Sequence, residues 1–198
     1  MPSFSGVWTL GEAREMHGHD EKLALALPSF FPKDEPVWDF GCGVGYYCRV
    51  LSDAGFDVMG VEGTPGISEI AEFSPILTAD LTNSELWFQP RNLLCLEVGE
   101  HIPANSQYDF LNLLARSTSN RVILSWAIPG QGGYHHLNER PNEFVIEAMK
   151  TRGLAHNARA SDELRQASEL WWFESTIMVF DRVSEIRDWS DPEGIRRV

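Results

Sequence analysis

The residues able to do chemistry stand in a few short stretches. Asp39-Phe40-Gly41-Cys42-Gly43-Val44-Gly45 sets an acid directly ahead of glycines at alternate positions. Two further acids, Glu62 and Asp80, each follow a short apolar run. Glu97, Glu100 and His101 share the stretch Glu97-Val98-Gly99-Glu100-His101-Ile102-Pro103, and Gln131, Tyr134, His135, His136 and Asn138 share a glycine-rich one. Alternate glycines permit a tight bend from strand into helix and omit each Cβ that would occupy a ligand's space. Such a bend is a candidate cradle for a nucleotide-like cofactor. Histidines near it are the usual proton acceptors at neutral pH.

Two kinds of cofactor use a turn of this sort. The dinucleotide fingerprint is G-x-G-x-x-G with a pyrophosphate at the helix N-terminus, whereas the spacing here is G-x-G-x-G and Asp39 would repel a pyrophosphate. An acid at that place suits a ligand bearing an ammonium and a sulfonium. The run DFGCGVG resembles the first motif, D/E-x-G-x-G-x-G, of the class I S-adenosylmethionine-dependent methyltransferases. The resemblance extends over about residues 36–182, with specific motifs in its first half and weak ones in its second.

That resemblance implies S-adenosylmethionine as cofactor. Asp39, Gly41, Cys42, Gly43 and Gly45 would wrap it, Glu62 with Gly63 would hold the ribose hydroxyls, and Asp80 with Leu81 would lie beside the adenine. EVGEHIP resembles the E-V-L-E-H-I-P stretch of many small-molecule methyltransferases, which sets Glu97 at the methionine end and His101 toward the substrate. Glu100 is grouped with His101 on the substrate side, with a solvated or structural role as the alternative. Gly99 stands where Leu is common, so packing there is expected to differ. In the same family the segment before the first strand often covers cofactor or substrate. Trp8, His17 and His19 are therefore candidate lid residues, against the alternative of a solvated arm with one packed tryptophan.

The elements that must position these groups follow from periodicity and breakers. A buried strand ends at Asp39, a helix spans 46–54 with Gly55 behind it, and a second strand leads to Glu62. Ile67, Ile70 and Ala71 suggest a short helix before a third strand at 75–79. A stretch of 81–89 reads as loop with some helix, Trp87 and Phe88 being core candidates, and the fourth strand begins at Asn92. Ser106 with Asp109 suggests a capping box, ahead of a buried face of Tyr108, Leu111, Leu114 and Ala115. A fifth strand at 121–127 opens into the loop that carries Gln131, Tyr134, His135, His136 and Asn138, candidate substrate-recognition residues because polar groups at a strand's carboxyl end make sites. Asn142 is a candidate cap for a helix with Phe144, Val145, Ala148 and Met149 on one face, ended by Gly153. Then come a sixth strand at 154–160, a helix at 161–170 and a long alternating strand at 173–182. Before all of these, 19–31 reads as a helix stopped by Pro28 and Pro32. The family implies an α/β fold: a single-domain, Rossmann-like, seven-stranded, mostly parallel sheet of order 3-2-1-4-5-7-6 with helices on both faces. The expected division is a cap at 1–32, the methyltransferase domain at 33–187 and a polar tail at 188–198.

Composition bounds the reading. With 198 residues, 43% of them hydrophobic, one domain is expected. Against 29 acids stand 16 bases, and a net charge of -13 repels a phosphate backbone, so nucleic acid is not an expected partner. Cys42, Cys48 and Cys95 are odd in number and fall in apolar segments, which suits reduced thiols and a cytoplasmic location. No signal pattern or membrane-length apolar run appears. A metal is not expected, because His135 and His136 are adjacent without a ligand spacing, although they could reach an ion with Glu97 or Glu100. The expected function is methyl transfer by in-line displacement to a small-molecule acceptor through O or N. His101, His135 and His136 are candidate bases. A non-catalytic cofactor-binding or partner-binding protein on the same scaffold is the alternative. A nicotinamide-dependent oxidoreductase lacks its glycine spacing here. Acceptor identity and oligomeric state are not legible.

Overall fold

The computed structural model describes residues 7–83, 85–86 and 88–183. In chain order its elements are α1 (Leu10–Met16), α2 (Glu21–Ala26), β1 (Val37–Phe40), α3 (Tyr46–Asp53), β2 (Val58–Glu62), β3 (Ile76–Thr78), β4 (Asn92–Cys95) and α4 (Gln107–Ser117). There follow β5 (Arg121–Leu124), α5 (Asn142–Lys150), β6 (Leu154–His156), α6 (Ala158–Ala167), α7 (Phe173–Thr176) and β7 (Met178–Arg182). Single 3₁₀ turns lie at Leu27–Phe30, Ile67–Glu69 and Gly99–His101.

The strands form one seven-stranded sheet in the order β3-β2-β1-β4-β5-β7-β6, the order expected. β1 to β5 pair in parallel, whereas β7 runs antiparallel to both β5 and β6. Arg121 and Asp181 are register partners across the reversed pair, and Arg121 Nε donates to Asp181 Oδ1 at 2.7 Å. A sheet covered on both faces needs strands apolar on both, and Val37, Phe40, Leu93, Leu94, Val122 and Ile123 are fully buried. One face carries α4 and α5 through Phe110, Leu111, Leu114, Val145 and Met149. The other carries α2, α3 and α6 through Leu23, Leu51 and Leu164. Each such side chain removed from water contributes about 1.5–3 kcal/mol. Strand order reverses between β1 and β4, which opens a crevice at their carboxyl ends.

Several local expectations are corrected. Pro141, not Asn142, caps α5; the Asn142 backbone is already helical, and its Nδ2 donates to the Ser175 carbonyl at 2.7 Å. Ser106 makes no side-chain cap bond, so no capping box opens α4. Tyr108 is 44% exposed, because the buried stripe runs through Gln107, Phe110, Leu111 and Leu114, about one residue's rotation away. β6 ends early because Asn157 starts α6, its Oδ1 accepting from Ala160 N at 3.0 Å. The run at 173–182 splits into α7 and β7, with Thr176 Oγ1 donating to the Trp172 carbonyl at 2.8 Å. β5 stops at Leu124, where Ser125 turns its hydroxyl to Glu97. Ile67 alone of its trio enters a helical turn, and 19–31 breaks into α2 and a 3₁₀ turn. α1 was not anticipated: Thr9 and Glu12 cap each other reciprocally at its start. Phe88 packs on the core, whereas the expectations for Trp87 and for 188–198 lie outside the described residues. No described helix is long and apolar enough to cross a membrane.

Candidate functional site

The turn after β1 takes positive φ at Gly41, Gly43 and Gly45 (77°, 56° and 85°). Protein neighbours give these glycines a reason besides the approach of a ligand. A Cβ at Gly41 would lie 2.3 Å from Val98 Cγ2, one at Gly43 2.6 Å from the His17 ring and one at Gly45 2.8 Å from Phe73 Cβ. The absent Cβ atoms therefore make room for protein side chains that close around the turn, while positive φ sets its course. Glu62 fastens that turn to the end of β2. Its Oε2 accepts from Gly43 N at 2.9 Å, and its Oε1 accepts from Thr64 N at 2.9 Å and Thr64 Oγ1 at 3.0 Å.

Asp39, the residue before the last of β1, is almost wholly buried, and the Cys48 thiol donates to it at 3.6 Å. Burial pushes its carboxyl up to about 7, with the Glu62 charge adding to the effect. The cysteines are free and buried, in keeping with reduced thiols.

A cavity of about 380 Å³ opens over these groups, within the range of small-molecule sites. Asp39, Gly41, Cys42, Glu62, Gly63, Asp80, Leu81 and Glu97 line it, as do His101, Gln131, Tyr134 and His136. Gly43, Gly45, Glu100, His135 and Asn138 do not. Asn138 is buried behind the wall, with Nδ2 donating to Gln107 at 3.4 Å and its carbonyl accepting from Trp126 Nε1 at 2.7 Å. Asp80 is exposed at the rim, where Thr82 N and Oγ1 donate to it.

The far end of the cavity is polar. Glu97 takes φ 53° and is held by Ser125 Oγ at 2.8 Å and Gln131 Nε2 at 3.0 Å. Burial raises its carboxyl all the same. Glu100 is 0% exposed, and burial followed by the Glu97 charge pushes it well up. His101 Nδ1 lies 3.1 Å from the His135 carbonyl, which can only accept, so that nitrogen carries the proton. Burial pulls His101 down to about 4, leaving it neutral at pH 7 with Nε2 free to accept. His136 is seated against the backbone of Gly133, where a Cβ would come within 2.3 Å of its Nε2.

All three lid candidates line the cavity. Trp8 stacks on His17 at 4.7 Å and meets His101 edge-on at 5.3 Å, while His19 stacks on Tyr46 at 3.7 Å. Tyr134 Oη donates to Glu12 Oε1 at 2.7 Å and so ties α1 to the glycine-rich loop. An aromatic side of the cavity went unanticipated: Tyr46, Tyr47, Trp171, Trp172 and Phe173. The one sequence signal for it was the adjacent Trp171-Trp172-Phe173.

No family model matches the sequence, and no curated protein does. Solved structures do. A magnesium protoporphyrin IX methyltransferase from Synechocystis with bound S-adenosylhomocysteine is 18% identical, with TM-score 0.60 over 80% of this chain and 81% of that one. The putative methyltransferase complexed with the Haloferax volcanii Trm112 activator is 16% identical, with TM-score 0.64 over 90% and 95%. A sugar N-methyltransferase from Streptoalloteichus is 14% identical, with TM-score 0.61 over 92% and 89%. With its sheet order and these likenesses, the chain has the α/β fold of the class I S-adenosylmethionine-dependent methyltransferases.

Proposed function

We propose that the chain is an S-adenosylmethionine-dependent methyltransferase that acts by in-line displacement on a small-molecule acceptor bearing O or N. The observation that carries this reading is the convergence of Asp39, Glu62 and Asp80 on one cavity floored by the glycine turn. The residues fit the cofactor. Asp39 is a buried acid short of donors, which an ammonium would satisfy, and Glu62 Oε2 retains acceptor capacity for one sugar hydroxyl beyond the three bonds the carboxylate already accepts. When bound, the cofactor supplies an electrophilic methyl group on a sulfonium, already a good leaving group. The chain's own work is then alignment and exclusion of water. Trp8, His17 and Tyr134 cover the cavity, and Glu97 with Gln131 shapes its methionine end.

Of the candidate bases, His101 and His136 face the cavity and His135 does not. His101 is neutral with Nε2 unprotonated and so can accept a proton in the absence of a bound ion, although burial that pulls it down to about 4 makes it a weak base. Likenesses to enzymes acting on a porphyrin and a sugar support a small-molecule acceptor without naming one. The test is calorimetric titration with S-adenosylhomocysteine. Binding that Glu62→Ala weakens at least about tenfold is expected, from the loss of about 1.4 kcal/mol or more in charged hydrogen bonds. A chain without affinity for either form of the cofactor would end the reading.

A further inference from the structure

We infer that Glu100, His101 and His136 form a site for one divalent transition-metal cation at the polar end of the cavity. The three residues offer ligand atoms that lie within 4.8 Å of one another. Glu100 is fully buried, and neither of its carboxylate oxygens has a hydrogen-bond partner. Carboxylates taken from water in this way are otherwise paired, protonated or metal-bound, since desolvation opposes the bare charge. His136 Nε2 stands 4.0 Å from Glu100 Oε1, too far to hydrogen-bond but close enough for an ion to bridge the two after a shift of about 1 Å, given zinc-ligand bonds of about 2 Å.

The imidazoles are oriented as ligands are. Metal-binding histidines give their second N–H to a carbonyl or carboxylate, which fixes the ring and its tautomer. His101 gives Nδ1–H to the His135 carbonyl at 3.1 Å, and His136 points Nδ1 at Glu139 Oε1, 3.3 Å away. Glu139 is itself held by Gly130 N at 2.7 Å and Gly132 N at 2.8 Å. Each ring thus has its Nε2 left for an ion. The adjacency of His135 and His136 in sequence hides this arrangement: His135 lays its ring on Tyr134 and contributes a carbonyl instead.

Two imidazoles with one carboxylate suit zinc, manganese, iron, cobalt or nickel better than magnesium or calcium, which prefer all-oxygen sets. His101 and His136 both line the cavity, so the remaining coordination positions face it. An acceptor hydroxyl bound there would be acidified by the ion, the histidines serving as ligands and not as bases. That use rests on the methyl-transfer reading, whereas the binding of an ion does not.

Cobalt(II) chloride is the probe, titrated into the full chain after treatment with EDTA and followed by calorimetry and visible absorption. One equivalent per chain is expected, with d–d bands and no thiolate charge-transfer band. Glu100→Gln and His136→Ala should each weaken binding more than about 100-fold, and Glu139→Gln, which removes the partner of His136 Nδ1, about 10–100-fold. Circular dichroism checks that Glu100→Gln folds, and His136→Ala, at the cavity wall, serves if it does not. Absence of binding, a thiolate spectrum, or equal affinity in Glu100→Gln and His136→Ala would overturn the site, whatever the outcome with S-adenosylhomocysteine.

Discussion

Asp39→Asn should make the free protein less sensitive to pH and, at the same time, worse at holding its cofactor. Asp39 is 2% exposed, and its carboxyl is raised from the usual 3.8 to about 7, chiefly by burial. The folded carboxyl therefore keeps its proton where the unfolded one has lost it. Between those two values the folded chain carries the extra proton, so stability falls as pH rises through the window and levels off above about 7. At about 1.4 kcal/mol per pH unit, the total loss approaches about 4 kcal/mol, a ceiling because water entering the cavity relaxes part of it. Asparagine carries no charge at any pH. Its amide costs a constant amount, about 1–3 kcal/mol if left unpaired, which shifts its stability curve without tilting it. Urea unfolding at a series of pH values from about 4 to 8 separates the two contributions, because Glu97 and Glu100 titrate in both proteins and cancel in the difference. The difference should grow in favour of Asp39→Asn by up to about 4 kcal/mol across the series. Affinity for S-adenosylhomocysteine should move the other way, since its ammonium loses the buried charge. Parallel stability curves would refute the claim that Asp39 is a strained, donor-poor acid.

Gly43→Ala places a Cβ 2.6 Å from the His17 ring at φ 56°, so it should cost about 1–2 kcal/mol in backbone strain and unseat His17. Limited proteolysis reads the second effect directly: cleavage around residues 7–19 should accelerate, and an unchanged pattern would show that His17 is not held there. Gly99→Ala drives a Cβ to 2.2 Å from Trp126 Cδ2 and should destabilise by about 1–3 kcal/mol. Trp126→Leu in the same chain should recover part of that loss, so thermal unfolding of the double-mutant cycle must be non-additive; an additive cycle would reject the contact.

Legibility followed the range of each signal. DFGCGVG, Glu62 and Asp80 are local patterns read within a few residues of themselves, and they brought the sheet order with them. Gly99 was singled out as a departure, but its partner Trp126 lies on the next strand connection, where no local pattern could point. Tyr108 misled because aromatic character suggests burial, whereas the turn at Ser106 sets the buried stripe on Phe110 and Leu111. Asn157 has the side chain of a cap, but the strand pattern of Leu154 and Ala155 directly before it masks the boundary. The pair Thr9 and Glu12 carries the signature of a helix start. The aromatic cavity wall depended on Asp20, whose Oδ2 accepts from Ser168 Oγ, Glu169 N and Leu170 N and so holds the stretch before Trp171 against α2. Nothing near either end announces a staple between residues so far apart.

Backbone strain points to the same corner of the molecule as the side chains do. Among the described residues, Glu97 and His135 are the non-glycine positions with positive φ, at 53° and 57°. Left-handed backbone costs such residues about 1–2 kcal/mol each, and it persists only where surroundings enforce it. Glycine was available to this loop, which uses it at Gly130, Gly132 and Gly133, so flexibility alone does not explain a histidine at 135. At Glu97 the distortion is enforced by Ser125, which accepts from the backbone N–H and donates to the carboxylate of the same residue. At His135 it aims the carbonyl onto His101 Nδ1 while the next residue seats its ring against Gly133. One distortion therefore stands just ahead of Glu100 and His101 in sequence and the other directly ahead of His136. A connector under no functional demand would relax both, so the strain is best accounted for by the need to hold those three side chains in one arrangement.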